Sequence, residues 1–298
     1  MIYRIRHQTI VHYDAPVQLA RLNLRLRPAP WPGQWTSDYH LAVDPAPSSI
    51  ESRPGAWPVN VARLEIDSPL HRISIDSSFR AGVQGGPPAG PQQGDPSVGA
   101  VAEAALASRD MGPAGPAHYL HASPRVPLVR KIGEWAGDLL VSDRPAVAAG
   151  LELAQRIRGE FAYVSGATDA DTPVEAAFAA RHGVCQDFAH VMVAALRWFG
   201  LPAAYVSGYL RTDPPPGMAR LVGADAMHAW AMLWCGPQRG WIGLDPTNGV
   251  IAGEGHLFVA MGRDYADVAP MDGLFVGGAG QNVQVMVDVM PEDDRGMG

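Results

Sequence analysis

The chain is 298 residues long, 47% hydrophobic, and carries a formal net charge of −7. At about 150 residues per domain this length suggests two domains with apolar material enough for real cores. It holds no basic block and no basic–aromatic interleaving, which speaks against a nucleic-acid partner. No apolar run approaches the roughly 18 residues of a membrane span, so no membrane partner is expected.

In chain order, the first 83 residues alternate apolar and polar positions in short runs. These are Ile2 to Tyr13, Leu19 to Arg27, Tyr39 to Val43, Val61 to Ile66 and Arg72 to Ile75. Period two in several short runs predicts a small antiparallel β unit, a sandwich, over residues 1–83, with its His and Arg residues on a solvated face. Residues 84–100 read as a linker or loop, since 82–96 hold nine Gly or Pro. Helical segments follow from Pro127 to Leu140, Pro145 to Arg158 and Pro173 to Arg181, each with proline near its start. The opening Met1-Ile2-Tyr3-Arg4-Ile5-Arg6-His7 has no apolar stretch of the kind a leader peptide needs. With two cysteines and no disulfide framework, the expected compartment is a reducing cytoplasm.

One of those cysteines stands in Gly183-Val184-Cys185-Gln186-Asp187. After it, Phe188, Val191, Met192, Ala195, Leu196 and Phe199 recur with helical period, and Gly200 followed by Pro202 ends the run. Cys185 therefore belongs in or just before the first turn of an amphipathic helix. Free N–H groups and the positive end of the helix dipole favour thiolate over thiol there.

Downstream, Ala203 to Leu210 reads as a strand, followed by a proline-rich loop from Asp213 to Gly217. His228 begins a second strand running to Trp234, and Gly240 to Leu244 a third, which ends in Asp245-Pro246-Thr247-Asn248-Gly249. A thiolate nucleophile needs an imidazole to shuttle protons, and the imidazole needs a carboxylate to fix its tautomer. Adjacent strands can hold His228 beside Asp245 with the helix end brought against them. After Gly249 another strand pair follows, ending in the alternating Gln281 to Val289, and residues 291–298 read as a frayed tail.

These pieces resemble the transglutaminase-like superfamily of papain-type cysteine enzymes. Its pattern is G-x-C-x-D at a helix start, then H-A-W, then a D-P-T-N turn, matched by Gly183 to Asp187, His228-Ala229-Trp230 and Asp245 to Asn248. The likeness extends to the bacterial transglutaminase-like cysteine proteases through Tyr3-Arg4-Ile5-Arg6-His7, Leu24-Arg25-Leu26-Arg27-Pro28 and Gly262 to Pro270. It implies an α+β chain: an N-terminal antiparallel β-sandwich, then a papain-like domain over residues 101–290 with the nucleophile helix packed on an antiparallel sheet. It further implies Cys185 as nucleophile, His228 as general base and acid, and Asp245 as histidine orienter. The substrate would be a peptide or protein, cleaved through a thioester acyl-enzyme with no cofactor.

Other residues read as structural. Asp187 would oppose a thiolate by like charge, so it is expected to point away and serve the first helical turn or an adjacent loop. His190 is read as a hydrogen-bonded core or interface histidine, Cys235 as structural, and Trp230 and Trp234 as packing. His182 could pair with Cys185 around a metal, but no second ligand pair stands at the right spacing, so no metal site is expected. The backbone N–H of Cys185 can serve an oxyanion; for a second donor, Tyr163 and Gln186 are the candidates. Two other classes stay open: a transamidase or acyltransferase using the same three residues, and a non-catalytic binding module. The single lysine, Lys131, would limit self-crosslinking.

Overall fold

The alternation at the start of the chain is realised in β1 (Ile2–Val17), where Tyr3, Ile5, Val11 and Tyr13 point inward and Arg4, Arg6 and His12 outward. β2 (Leu19–Leu24), β5 (Asn60–Ile66) and β6 (Leu70–Val83) follow the same rule, and β3 (Gln34–Asp44) alternates between half-buried and exposed. Between them, β4 (Ser49–Pro54) has no buried residue and so carries no period-two signal. The structure, a computed structural model, describes residues 1–83, 90–211, 227–278 and 280–292. The Gly/Pro-rich residues 84–89 and the expected loop from Asp213 to Gly217 lie outside them.

Regular structure resumes inside the expected linker, at α1 (Val98–Ala107), capped by the Ser97 hydroxyl accepting from the Ala100 N–H at 3.2 Å. Then come α2 (Arg130–Ala136), α3 (Ala146–Glu160), β7 (Ala162–Tyr163), α4 (Val174–Ala180), β8 (His182–Gly183) and α5 (Cys185–Trp198). α5 ends where its spacing indicates: Gly200 takes φ +71°, and the Leu201 N–H returns to the Leu196 carbonyl at 3.2 Å.

β9 (Ala203–Leu210), β10 (Met227–Trp234), β11 (Trp241–Asp245), β12 (Val250–Ile251) and β13 (His256–Gly262) form one antiparallel sheet in the order β12–β11–β10–β9–β13. Ala231, Leu233 and Leu244 on one face share a core with Val191, Met192 and Leu196 of α5. Trp230 and Met232 point to the other face and pack with Phe258 and Val206.

The chain returns through α6 (Tyr265–Val268) to β14 (Met271–Val276) and β15 (Gln281–Glu292). β15 pairs with β1 and β14 with β2, completing two four-stranded sheets, β15–β1–β6–β3 and β14–β2–β5–β4. Leu22, Leu24, Leu64, Ile66, Ile73 and Ile75 fill the space between them, which is the expected sandwich. The division of residues differs from the expectation, because 271–290 belong to the β unit rather than to the sheet that follows it. Pairing sets this: Val287 lies opposite His7 and Val289 opposite Ile5, and both valines are fully buried. Pro291 and Glu292, expected in the tail, end β15, with Glu292 accepting from Arg4 and Arg80. Residues 293–298 lie outside the described ones.

His7 also departs from expectation. It sits on the buried face of β1, with Nδ1 3.0 Å from the Tyr209 hydroxyl and Nε2 3.0 Å from Thr9 Oγ1. Tyr209 lies on β9, so this buried polar link ties the sandwich to the central sheet.

Candidate active site

The entry into α5 is built around Asp187. The N-cap residue is Val184, which has no side-chain acceptor, and Asp187 at the third helical position replaces it. Asp187 Oδ2 accepts from the Val184 backbone N–H at 2.8 Å and from Thr168 Oγ1 at 2.6 Å. This explains the aspartate of the cysteine motif and agrees with its structural reading. Cys185 is then the first helical residue, half-buried, where the N–H groups have no intrahelical acceptor.

His228 and Asp245 come from adjacent strands. Ala231 pairs with Leu244, so Asp245 lies level with Trp230, two residues along the same sheet face from His228. His228 Nε2 is 2.8 Å from Asp245 Oδ2. Its other nitrogen, Nδ1, takes no part in that bond, and Cys185 lies close enough to add to the upward pull on the ring. The three sequence candidates therefore meet in one place, in the order Cys185–His228–Asp245.

Asp245 is wholly buried, and five N–H groups converge on it. Oδ1 accepts from the backbone of Thr247 at 2.9 Å and of Asn248 at 3.2 Å, an Asx turn that gives the D-P-T-N segment its shape. Oδ2 accepts from His228, from Asn248 Nδ2 at 2.6 Å and from His256 Nε2 at 3.0 Å. Burial would push this carboxyl up, but the hydrogen bonds from His228 and His256 outweigh it and hold the group well below the usual carboxylate range. Burial would likewise lower His228, yet its hydrogen bonds to Asp245 and Cys185 prevail and raise it to about 9. That shift favours the imidazolium, held beside the buried carboxylate.

The residues read as structural fall where packing puts them. His190 is buried, packs tilted against Tyr205 with ring centroids 4.9 Å apart, accepts from the Tyr265 N–H, and is pushed down to about 4 by burial. Cys235 is fully buried, and burial pushes its thiol up to about 12. Trp230 lies beneath His228 with the rings 6.1 Å apart and 29° from parallel. His182 hydrogen-bonds the Ala180 carbonyl. Of the two proposed oxyanion donors, Gln186 turns to the Ala170 carbonyl at 3.4 Å. Tyr163 faces Cys185 closely enough that, after burial, a charge on the sulfur raises its phenol.

His256 is the site residue that the sequence reading missed. It begins β13, two strands from β10, and reaches Asp245 across the sheet face; no spacing rule joins positions 245 and 256. Among the described residues, His228, Asp245 and His256 are the one set of potential metal ligands, their atoms lying within 4.8 Å of one another, and each histidine hydrogen-bonds Asp245 Oδ2. On the same face, Trp31, Trp57, Trp230, Trp241 and His256 line a cavity of about 900 Å³ between the sandwich loops and the sheet.

The family model described as the Transglutaminase-like superfamily matches residues 134–246, which include Cys185, His228 and Asp245. That of the bacterial transglutaminase-like N-terminal region matches residues 3–81. Uncharacterized proteins of Mycobacterium tuberculosis and Mycobacterium bovis are 36% identical over 97% of this chain and 92% of their own length. A protein-glutamine gamma-glutamyltransferase of Pseudomonas aeruginosa is 35% identical over 43% of this chain, though over 19% of its own length. A crystal structure from Cytophaga hutchinsonii, of a protein proposed to be a cysteine protease, superposes with a TM-score of 0.69 over 98% of this chain and 92% of that one at 21% identity. That likeness is one of fold.

Proposed function

The chain belongs to the transglutaminase-like superfamily, and from that premise we propose that it cleaves amide or peptide bonds through a thioester on Cys185. The observation carrying this reading is the placement of His228, bonded through Nε2 to the buried Asp245 and raised in pKa by Asp245 and by Cys185 at the start of α5.

In this reading the Cys185 thiolate attacks the amide carbonyl, forming a C–S bond and an oxyanion against the first-turn N–H groups. The tetrahedral centre collapses, the C–N bond breaks, and His228 passes its proton to the departing amine. The remaining thioester is attacked by water, His228 now taking the proton, the C–S bond breaks, and the acid leaves with Cys185 restored as thiolate beside protonated His228. Asp245 keeps the ring oriented with Nε2 inward. A primary amine replacing water would give transamidation from the same intermediate. We favour hydrolysis because the resemblance is to peptidases and the fold neighbour is proposed to be one, while the glutamyltransferase relative keeps the second outcome in view. A compartment that keeps Cys185 reduced, the cytoplasm first, suits this chemistry.

The test is iodoacetamide alkylation of Cys185 across pH, located by peptide mass, in the wild type and His228→Ala. Fast alkylation at neutral pH that slows about tenfold or more without His228 supports an ion pair. Insensitivity to His228 would leave a non-catalytic binding module. Peptide and glutamine libraries with a fluorescent amine then separate free acid from amine adduct.

A further inference from the structure

Three N–H groups share one oxygen of Asp245, and one of them comes from a histidine that the proposed chemistry does not use. The tautomer of that histidine is fixed by its two partners. The Gly253 backbone N–H points at His256 Nδ1 from 3.1 Å, and a backbone amide can only donate, so Nδ1 is the acceptor. The ring proton of neutral His256 is therefore on Nε2, 3.0 Å from Asp245 Oδ2. Trp230 packs edge-on against the ring at 5.3 Å and fixes its plane.

We infer that His256 is a positioning residue: its Nε2–H occupies the second side of Asp245 Oδ2 and keeps the carboxylate from giving its whole charge to His228. The inference rests on the proposed role of His228 as proton donor to the leaving amine. A carboxylate answering to His228 alone would bind the imidazolium proton more tightly and slow its release. With His256 in place the charge is divided between two imidazoles, and the proton stays available on the sulfur side. The ionisable groups facing His228 are Cys185, Asp245 and His256. Those facing Asp245 are His228 and His256, with Arg158 of α3 behind the Gly249 turn. Glu254 and Arg211 flank the loop that carries His256.

His256→Phe keeps the ring and removes the donor. Four N–H groups still hold Asp245, so its orientation persists and its charge on His228 grows. By ring-labelled histidine NMR, the His228 midpoint should move upward from about 9 by about half a unit, a few-fold change in the equilibrium. Amidase kcat should fall with KM unchanged. His256→Gln, whose amide nitrogen reaches a similar place, should restore both. A midpoint and a kcat in His256→Phe equal to wild type would overturn the inference, as would a fall in KM and kcat alike that Gln does not rescue. A second measurement needs no variant: the wild-type His256 nitrogens should report the proton on Nε2 and an acceptor at Nδ1, and a proton on Nδ1 would sink the idea. Failure of the functional reading looks different, because Cys185 alkylation would then ignore His228→Ala whatever the state of His256.

Discussion

A Cβ atom on Gly183 would stand 2.5 Å from Asp187 Oδ2, so the glycine and the aspartate of the cysteine motif are parts of one device. Asp187 cannot swing aside, because the same oxygen holds the Val184 N–H and the Thr168 hydroxyl. Gly183→Ala should therefore break the cap or shift β8, costing about 1–2 kcal/mol, the range for a lost helix cap. Asp187→Ala should cost a similar amount by removing the acceptor. Denaturant unfolding measures both, and each variant should also alkylate more slowly at Cys185, which the cap orients. Wild-type stability in both would show the motif to be held by something other than this contact.

Raising the pH should destabilise the fold through His228. Its folded value is raised to about 9 from an ordinary 6.5, so the native state binds a proton that the unfolded chain has released. The stabilisation is complete below about 6.5 and is lost as pH rises through about 9. Wild-type unfolding free energy should fall across that window, and the fall should be largely absent in His228→Gln. Parallel profiles for the two proteins would mean that His228 is not held as an imidazolium.

The parts of this site that were readable in advance are those where a short-range rule decides geometry. α5 announces itself by its apolar stripe, and β9 and the His228 strand by bulky residues bounded by turns. The three motif residues meet because hairpin neighbours place Asp245 two positions along from His228. What escaped depends on contacts between distant segments. His256 is brought to Asp245 by a crossing loop, and β15 finds β1 from the other end of the chain. His7 looks like a surface residue until Tyr209 and Thr9 satisfy both nitrogens. β4 buries nothing, so its six residues carry no pattern to read.

At the acid end the sign reverses, through two other histidines. Burial lowers both His7 and His190 to about 4, so between 4 and 6.5 the unfolded chain takes up protons that the native state refuses. Stability should fall as pH drops through that window. His7→Phe should flatten part of the loss, since it removes one refusing group, while costing stability at neutral pH by stranding the Tyr209 hydroxyl. Unfolding curves at several acid pH values read both effects. An acid slope unchanged in His7→Phe would show that His7 is solvated when protonated.

The position of Trp230 depends on a glycine in the neighbouring strand. A Cβ on Gly208 would overlap both the Leu257 carbonyl oxygen and the edge of the Trp230 ring. Both must give: the carbonyl belongs to the β9–β13 ladder, so that pairing shifts, and the indole on which His228 stacks is displaced with it. Gly208→Ala should cost about 2 kcal/mol, as overpacking in a filled core does. It should also slow Cys185 alkylation at neutral pH by displacing His228 from the sulfur. Above pH 9, where His228 has lost its proton, mutant and wild-type rates should converge, since the thiol then ionises without help. A deficit persisting at high pH would point instead to blocked access to Cys185, and the support of His228 by Trp230 would have to be abandoned.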